Sequence, residues 1–506
     1  MRIAFVPIDN RPCTMTFPAR LAEMAGIEVT TPPERLLGSF TTPGDPEGVA
    51  DWLESSTAAD DFLVLSLDML IHGGLIASRT ARDDREECMA RMDRAERLLS
   101  GRSPEKSAVF STVMRSFPTF LDEKDVKNAE KLRKLLPRLY PDPPLTPGEL
   151  GEMLRTEEEA DPDMARLLPL YLSARSRNLS INMRACSWAK RGLVGRLLIG
   201  LDDVTCAGPN VQEGKLLANE LKGIDGALAC RGTDELPMTL LARILSDITG
   251  IRPSFSAVFS NEKGADSRTI YEQMTIRDLV REAVSTAGFE MREHGADVTL
   301  FCNVPEDRQM ETEAQHLSLP RSKKAFAKTI ANHLKAGMPA AVADLAYANG
   351  ADVAFAKELT RQLDPVLLSG YAAWNTSGNT LGTVVPHSAI RFISERTGSF
   401  NHMRHAEFIF ERLLDDCFYE SVVRAKFKVR HLINGKLALS MDERQREIAS
   451  KGVEKEMRRI SKDLFEKRFR GRHRIPGGSI EISKMTDSFD LPWPRLFEIR
   501  AEAKFS

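Results

Sequence analysis

Two adjacent carboxylates, Asp202 and Asp203, stand where an apolar run gives way to turn residues, in RLLIGLDDVTCAGPNVQEG at 196–214. Burying such a pair is costly unless water, a cation, a base or a ligand uses it. Mutual repulsion raises the pKa of one member, which suits a proton donor near neutral pH. A plainer role is also open, with Asp203 capping the next helix and Asp202 bonding loop amides. A second pair, Asp234 and Glu235, follows the run at 227–230. Other apolar runs close in the same way. Asp9 and Arg11 follow 3–8, Asp68 follows 62–67, Arg115 follows 108–114, Asn303 follows 298–302 and Asp344 follows 340–342. Trp374, Asn375 and Asn379 lie in YAAWNTSGNTLG. Gly73 and Gly74 permit close backbone approach to a ligand, or simply a tight turn.

Residues of these types act together only if a scaffold aims them at one place. Short apolar runs alternating with helical patterns predict an α/β fold of right-handed βαβ units, with the chemistry at the carboxyl ends of the strands. There are about ten candidate strands, against the eight of a simple barrel. The expected architecture is a (β/α) TIM-like barrel with extra strands; two doubly wound α/β domains sharing a cleft are the alternative. Residues 1–390 are expected to form the α/β domain, with a helical insertion at 120–190. That insertion carries Arg175-Ser176-Arg177-Asn178, read as a solvated face, or alternatively as a lid over substrate. Residues 391–506 are expected to be helical, at 399–433 and 443–468, and to end in a small β element.

Composition narrows the function classes. A formal net charge of -2 gives no global field for nucleic acid or a membrane surface. The basic residues of 443–468 are interleaved with acids, as on a solvated helix face. No stretch approaches the roughly 20 apolar residues of a spanning helix. The opening MRIAFVPID shows no leader pattern. The seven cysteines are scattered without a CxxC, so a reduced, cytoplasmic protein is expected, with Cys206 a spectator thiol. Neither HExxH nor HxH supports zinc, and no GxGxxG follows the first strand, so no metal or cofactor is expected.

The motifs PIDNRP, SLDMLIHGGLIASR, LIGLDDVTCAGPNVQE, GTDE, AYANG, YAAWNTSGNTLGT and LPWPRLFEIR together resemble the bacterial family designated domain of unknown function 4127. That resemblance implies no activity. The stretch 196–307 is also similar to the catalytic barrel of O-GlcNAc hydrolases and related hexosaminidases. Those enzymes place adjacent acids after their fourth barrel strand, and CNVPED, with Asn303, is similar to their sugar-orienting loop. Their aromatic cage is not evident. This second resemblance implies that Asp202 orients a substrate acetamide and Asp203 is the general acid/base, in a substrate-assisted route without a protein nucleophile. Asp234 and Glu235 would serve if two protein carboxylates are used. Asp9, Arg11, Asp68, Gly73, Gly74, Arg115, Asn303, Asp344, Asn375 and Asn379 would line the substrate, with Trp374 stacking on a sugar face. The expected function is therefore a glycoside hydrolase acting on an (N-acetyl)hexosaminide or related glycan. A Mg²⁺ or Mn²⁺ hydrolase built on Asp9, Asp68, Asp202, Asp203 and Asp344 is one alternative. A non-catalytic sugar- or metabolite-binding protein is another. The oligomeric state is left open.

Overall fold

The computed structural model describes residues 1–117, 119, 123–141, 143–203, 207–315, 318–430 and 441–506. Six of the runs read as strands pair side by side, all in parallel. They are β1 (Arg2–Val6), β2 (Glu28–Thr30), β3 (Phe62–Ser66), β4 (Ser107–Val113), β5 (Arg196–Leu201) and β6 (Ala227–Arg231), in the order β2-β1-β3-β4-β5-β6. β4 is buried at every position, as a parallel strand covered on both faces must be. A second group follows: β7 (Ser254–Phe259), β8 (Glu290–Met291), β9 (Val298–Asn303), β10 (Met310–Glu311), β11 (Ala340–Asp344), β12 (Tyr347–Ala348) and β13 (Gly370–Ala372). Five of these form a parallel sheet in the order β13-β11-β9-β7-β8, and β10 pairs with β12 apart from it.

Both sheets are open, so the expected TIM-like barrel is not formed. The physical reason lies in the order of addition. In each sheet the second strand adds on one side of the first and the third on the other, giving the doubly wound 2-1-3-4-5 order. Growth then continues away from the second strand, which stays an edge. In sheets of this order ligands bind beyond the carboxyl ends, where the direction of addition reverses.

The chain forms two compact units: residues 1–10 with 28–240, and residues 11–27 with 241–506. The boundary expected at 390 falls inside the helix Ser377–Thr397 of the second unit. The helix Thr16–Met24 lies in sequence between β1 and β2, yet it belongs to the second unit. There Phe17 packs edge-on against Trp374 and Phe408, at 5.8 and 5.7 Å. Arg20 meets the buried Glu411 at 3.2 Å.

The insertion consists of helices Glu123–Leu139, Pro147–Ala160 and Pro162–Lys190. Leu132, Leu136, Leu167, Leu168 and Tyr171 join Met114 in a core of their own. The carboxyl-terminal region contains the helix His402–Arg412, which runs on as a π-helix over Leu413–Val423, and the helix Glu443–Leu464. Two antiparallel hairpins end the chain, β14 (Gly471–Ile475) with β15 (Gly478–Ile482), and β16 (Met485–Asp490) with β17 (Arg500–Phe505). Residues 431–433 of the helical reading lie outside the described residues. Among the described residues no helix is long and apolar enough to cross a membrane.

Candidate functional site

The first unit gathers charge at the carboxyl tips of three adjacent strands. β3 runs directly into the helix Leu67–His72, because the Ser66 hydroxyl caps it by accepting from Met69 N (3.3 Å). Asp68 is thereby held in the first turn, one strand away from Thr112 on β4. The Thr112 hydroxyl donates to Asp68 Oδ1 at 2.6 Å. One strand further, the Asp202 N–H donates to Val113 O (3.1 Å), extending the ladder just past β5. Arg79 Nε and Nη2 both reach Asp202 Oδ2, at 2.8 and 2.5 Å.

Asp203 is different in kind. Its backbone is left-handed, at φ 44°, a conformation rare outside glycine. Asn210 Nδ2 donates to its carbonyl oxygen at 3.1 Å. Its side chain is 43% exposed, against 7% for Asp202. Arg115 Nη1 donates to Asp203 Oδ2 at 3.3 Å, and the same guanidinium lies 3.9 Å over the Phe117 ring. Asp203 does not cap the next helix, Pro209–Glu220, whose N-cap is Gly208 without a side-chain bond; instead the Arg115 guanidinium holds its part-exposed carboxylate.

Burial dominates the electrostatics. It pushes the Asp68 carboxyl up to about 6; the Thr112 hydrogen bond pulls it back, and the Asp202 charge adds to the rise. Asp68 Oδ2 is buried without a hydrogen bond, since the neighbouring Ser78 hydroxyl donates to Leu75 O (2.9 Å). Crowding by protein atoms and then the Asp202 charge hold Asp203 above the usual carboxylate range, against Arg79 and Arg115. Burial and then Arg79 bring Arg115 down to about 10. The cluster thus offers one carboxylate paired to Arg79, one buried acid with its pKa raised to about 6 and one acid open to solvent whose pKa is also raised.

The insertion helix Pro162–Lys190 sets this cluster in place, and its Arg-Ser-Arg-Asn segment is not a solvated face. Arg175 and Arg177 are each 3% exposed and Asn178 is 7% exposed. Arg175 grips Glu213 with two bonds (2.8 and 2.7 Å) and donates to Arg115 O (2.8 Å). Arg177 and Asn178 donate to Ser78 O at 2.9 and 2.7 Å, beside Arg79. Asn182 donates to Thr112 O at 3.0 Å. Arg79 and Asn182 are given no role by the sequence, and Arg175 is read there only as part of a solvated face or a lid. The spacing of Arg175, Asn178 and Asn182 by three and then four residues was the available signal, since it marks one helix face.

The other residues singled out from sequence divide between the units. In the first, Gly73 and Gly74 take φ of 78° and 122°. A Cβ at Gly73 would come within 2.6 Å of Gly44 O, and one at Gly74 within 3.1 Å of Ile8 O, so close backbone packing accounts for both. Asp9 is buried in the loop after β1, next to Gly74. Asp234 and Glu235 are buried beyond β6, where Glu235 Oε2 accepts from Thr233 N (3.3 Å). In the second unit, Asn303 Nδ2 donates to Asp344 Oδ1 (2.7 Å), and Asp352 N donates to Asp344 Oδ2 (2.9 Å). Burial and then the Asp352 charge push Asp344 up to about 7, against Lys323. Asn375 Nδ2 donates to Asn379 Oδ1 at 2.7 Å. Arg11 lies 5.1 Å over the Trp493 ring. Trp374 is buried against Phe17, with Nε1 donating to Thr383 Oγ1 (2.9 Å), so it presents no open stacking face. Thr205 and Cys206 lie outside the described residues.

A family model described as "Protein of unknown function (DUF4127)" matches residues 3–502. The chain belongs to the DUF4127 family. No curated protein and no solved structure matches it. In this DUF4127 protein, the likeness to hexosaminidases took 197–201 for a fourth barrel strand. Those residues belong to β5, the fifth strand of an open sheet.

Proposed function

We propose that this DUF4127 protein is a hydrolase that performs carboxylate acid–base chemistry at the tips of β3, β4 and β5, with a glycoside as its substrate. The arrangement of Asp203 carries this reading. It is a solvent-reachable acid with a raised pKa, oriented by Arg115 on a strained backbone. Such strain persists where the surroundings enforce it, and it clusters at functional sites. In this reading Asp203 gives its proton to the leaving-group oxygen as the glycosidic bond breaks. It then recovers a proton from the water that completes hydrolysis. Asp202, held in place by Arg79, orients the substrate and holds up the proton affinity of Asp203. The metal-dependent alternative is weaker, because Arg79 and Arg115 already balance these carboxylates and oppose a divalent cation among them.

A panel of nitrophenyl glycosides, N-acetylhexosaminides first, supplies the assay. Asp203→Asn should lower turnover of glycosides with unactivated leaving groups by about 10²–10⁴-fold. The loss should shrink with nitrophenolate, which needs little protonation to leave. Asp202→Asn should slow both kinds alike. An Asp203→Asn protein as active as wild type on an unactivated substrate would remove this residue from the reaction.

A further inference from the structure

The first unit holds a second cluster that the acid–base reading does not use. His72 ends the helix Leu67–His72, Asp83 precedes the helix Arg85–Ser100, and Cys88 lies in that helix's first turn. Asp83 Oδ2 is 3.0 Å from His72 Nδ1, and Cys88 Sγ is 3.8 Å from the same nitrogen. The three ligand atoms all lie within 4.8 Å of one another. His72 and Cys88 are buried, at 4% and 0% exposed.

A hydrolytic triad does not fit this geometry. In such a triad the acid and the nucleophile engage opposite ring nitrogens, whereas here both face Nδ1. One proton on Nδ1 satisfies only part of the arrangement. If Nδ1 carries a hydrogen, it donates to Asp83 and leaves the thiol without an acceptor. If Nδ1 is bare, it accepts from the thiol but sets its lone pair against a carboxylate. Three Lewis bases whose ligand atoms lie within 4.8 Å of one another are a set that a soft divalent cation can bridge. Tetrahedral zinc with ordinary Zn–N, Zn–O and Zn–S lengths separates its ligand atoms by about 3.3–3.6 Å. The observed 3.0 and 3.8 Å bracket that range.

We infer that His72, Asp83 and Cys88 form a site for Zn²⁺ or a similar soft divalent ion, which clasps the segment 72–88. On binding, the Cys88 thiol releases its proton to solvent. The imidazole proton resides on Nε2, leaving Nδ1 free to coordinate. The thiolate and the Asp83 carboxylate then match the divalent charge. Arg91 pairs with Glu47 and Glu87 and also lies 4.0 Å from Asp83 Oδ1, leaving Asp83 Oδ2 as the ligand atom. The clasped segment carries Arg79, the partner of Asp202, so the ion would fix that arm of the acid–base cluster from behind.

The test uses the full chain, stripped with a chelator and titrated with Co²⁺. A thiolate-to-cobalt charge-transfer band should rise to one equivalent, and Zn²⁺ should displace it. Zn²⁺ should also raise the melting temperature of the stripped protein. Cys88→Ser should abolish the band, whereas Cys186→Ser, another buried thiol of this unit, should leave it intact. If Cys88→Ser does not fold, Asp83→Asn serves in its place, because Asp83 is partly exposed; it should weaken Co²⁺ binding at least tenfold. Absence of the band in the wild type would overturn the site, as would a band indifferent to both Cys88→Ser and Asp83→Asn. Neither readout involves turnover, so this result stands or falls separately from the hydrolase reading.

Discussion

Asp68 shows how a single buried acid ties stability to pH. Its folded pKa, about 6, lies above the value of about 4 of an unfolded aspartate. The folded state therefore binds the proton more tightly. Wild type loses stability as pH rises through that window and gains none back above it. Asp68→Asn has no charge to bury, and its Oδ1 still accepts from Thr112. The variant should match wild type near pH 3.5 and exceed it by roughly 2–3 kcal/mol at pH 8. Urea melts at the two pH values check this, and a difference independent of pH would refute it. At this scale the sequence was partly legible. Asp202 and Asp203 stood out because charge directly follows an apolar run. Arg79 did not, because its bond to Asp202 spans 123 residues, and a lone arginine in a loop reads as surface. Trp374 was misjudged because burial depends on partners such as Phe17, which lies hundreds of positions away in the chain.

Between strands, the tightest tolerance is at Gly200 on β5. A Cβ there would overlap Gly232 O, a backbone atom that cannot swing aside, and would crowd Leu236. Gly200→Ala should destabilise the first unit by about 1–3 kcal/mol or more. The readout is the unfolding midpoint; an unchanged midpoint would mean that the β5–β6 tips have room to part. The strands themselves were legible, since parallel strands covered on both faces appear as nearly continuous apolar runs. Closure was not. Whether a strand adds to the left or right of its predecessor leaves no mark on its own composition, and that choice separates an open sheet from a barrel. The short edge strands β2 and β8 bury little, so they carry the faintest signal.

At the scale of the whole molecule, each unit draws on residues from both ends of a long stretch of chain. Residues 1–10 are in one unit, 11–27 in the other, and 28–240 in the first again. The helix Thr16–Met24 is held in the second unit by Phe17, by the Arg20–Glu411 pair and by a 2.7 Å bond from Asn401 N to Met24 O. Fragments 1–240 and 241–506, expressed together from separate messages, should therefore co-purify. Phe17→Asp in the first fragment should release the second. Wild-type fragments that elute separately would contradict this packing.

That same crossing sets a schedule for synthesis. The first sheet can close as soon as β6 leaves the ribosome, but Phe17 and Leu21 must wait for the helix His402–Arg412. At about 5–20 residues per second, the wait is roughly twenty to eighty seconds. For roughly the last ten to thirty-five seconds of that wait, once β6 is made, the nascent chain holds a finished first sheet and an uncovered apolar helix near its amino terminus. A holding chaperone, or slow translation before β7, acts on that intermediate rather than on the finished protein.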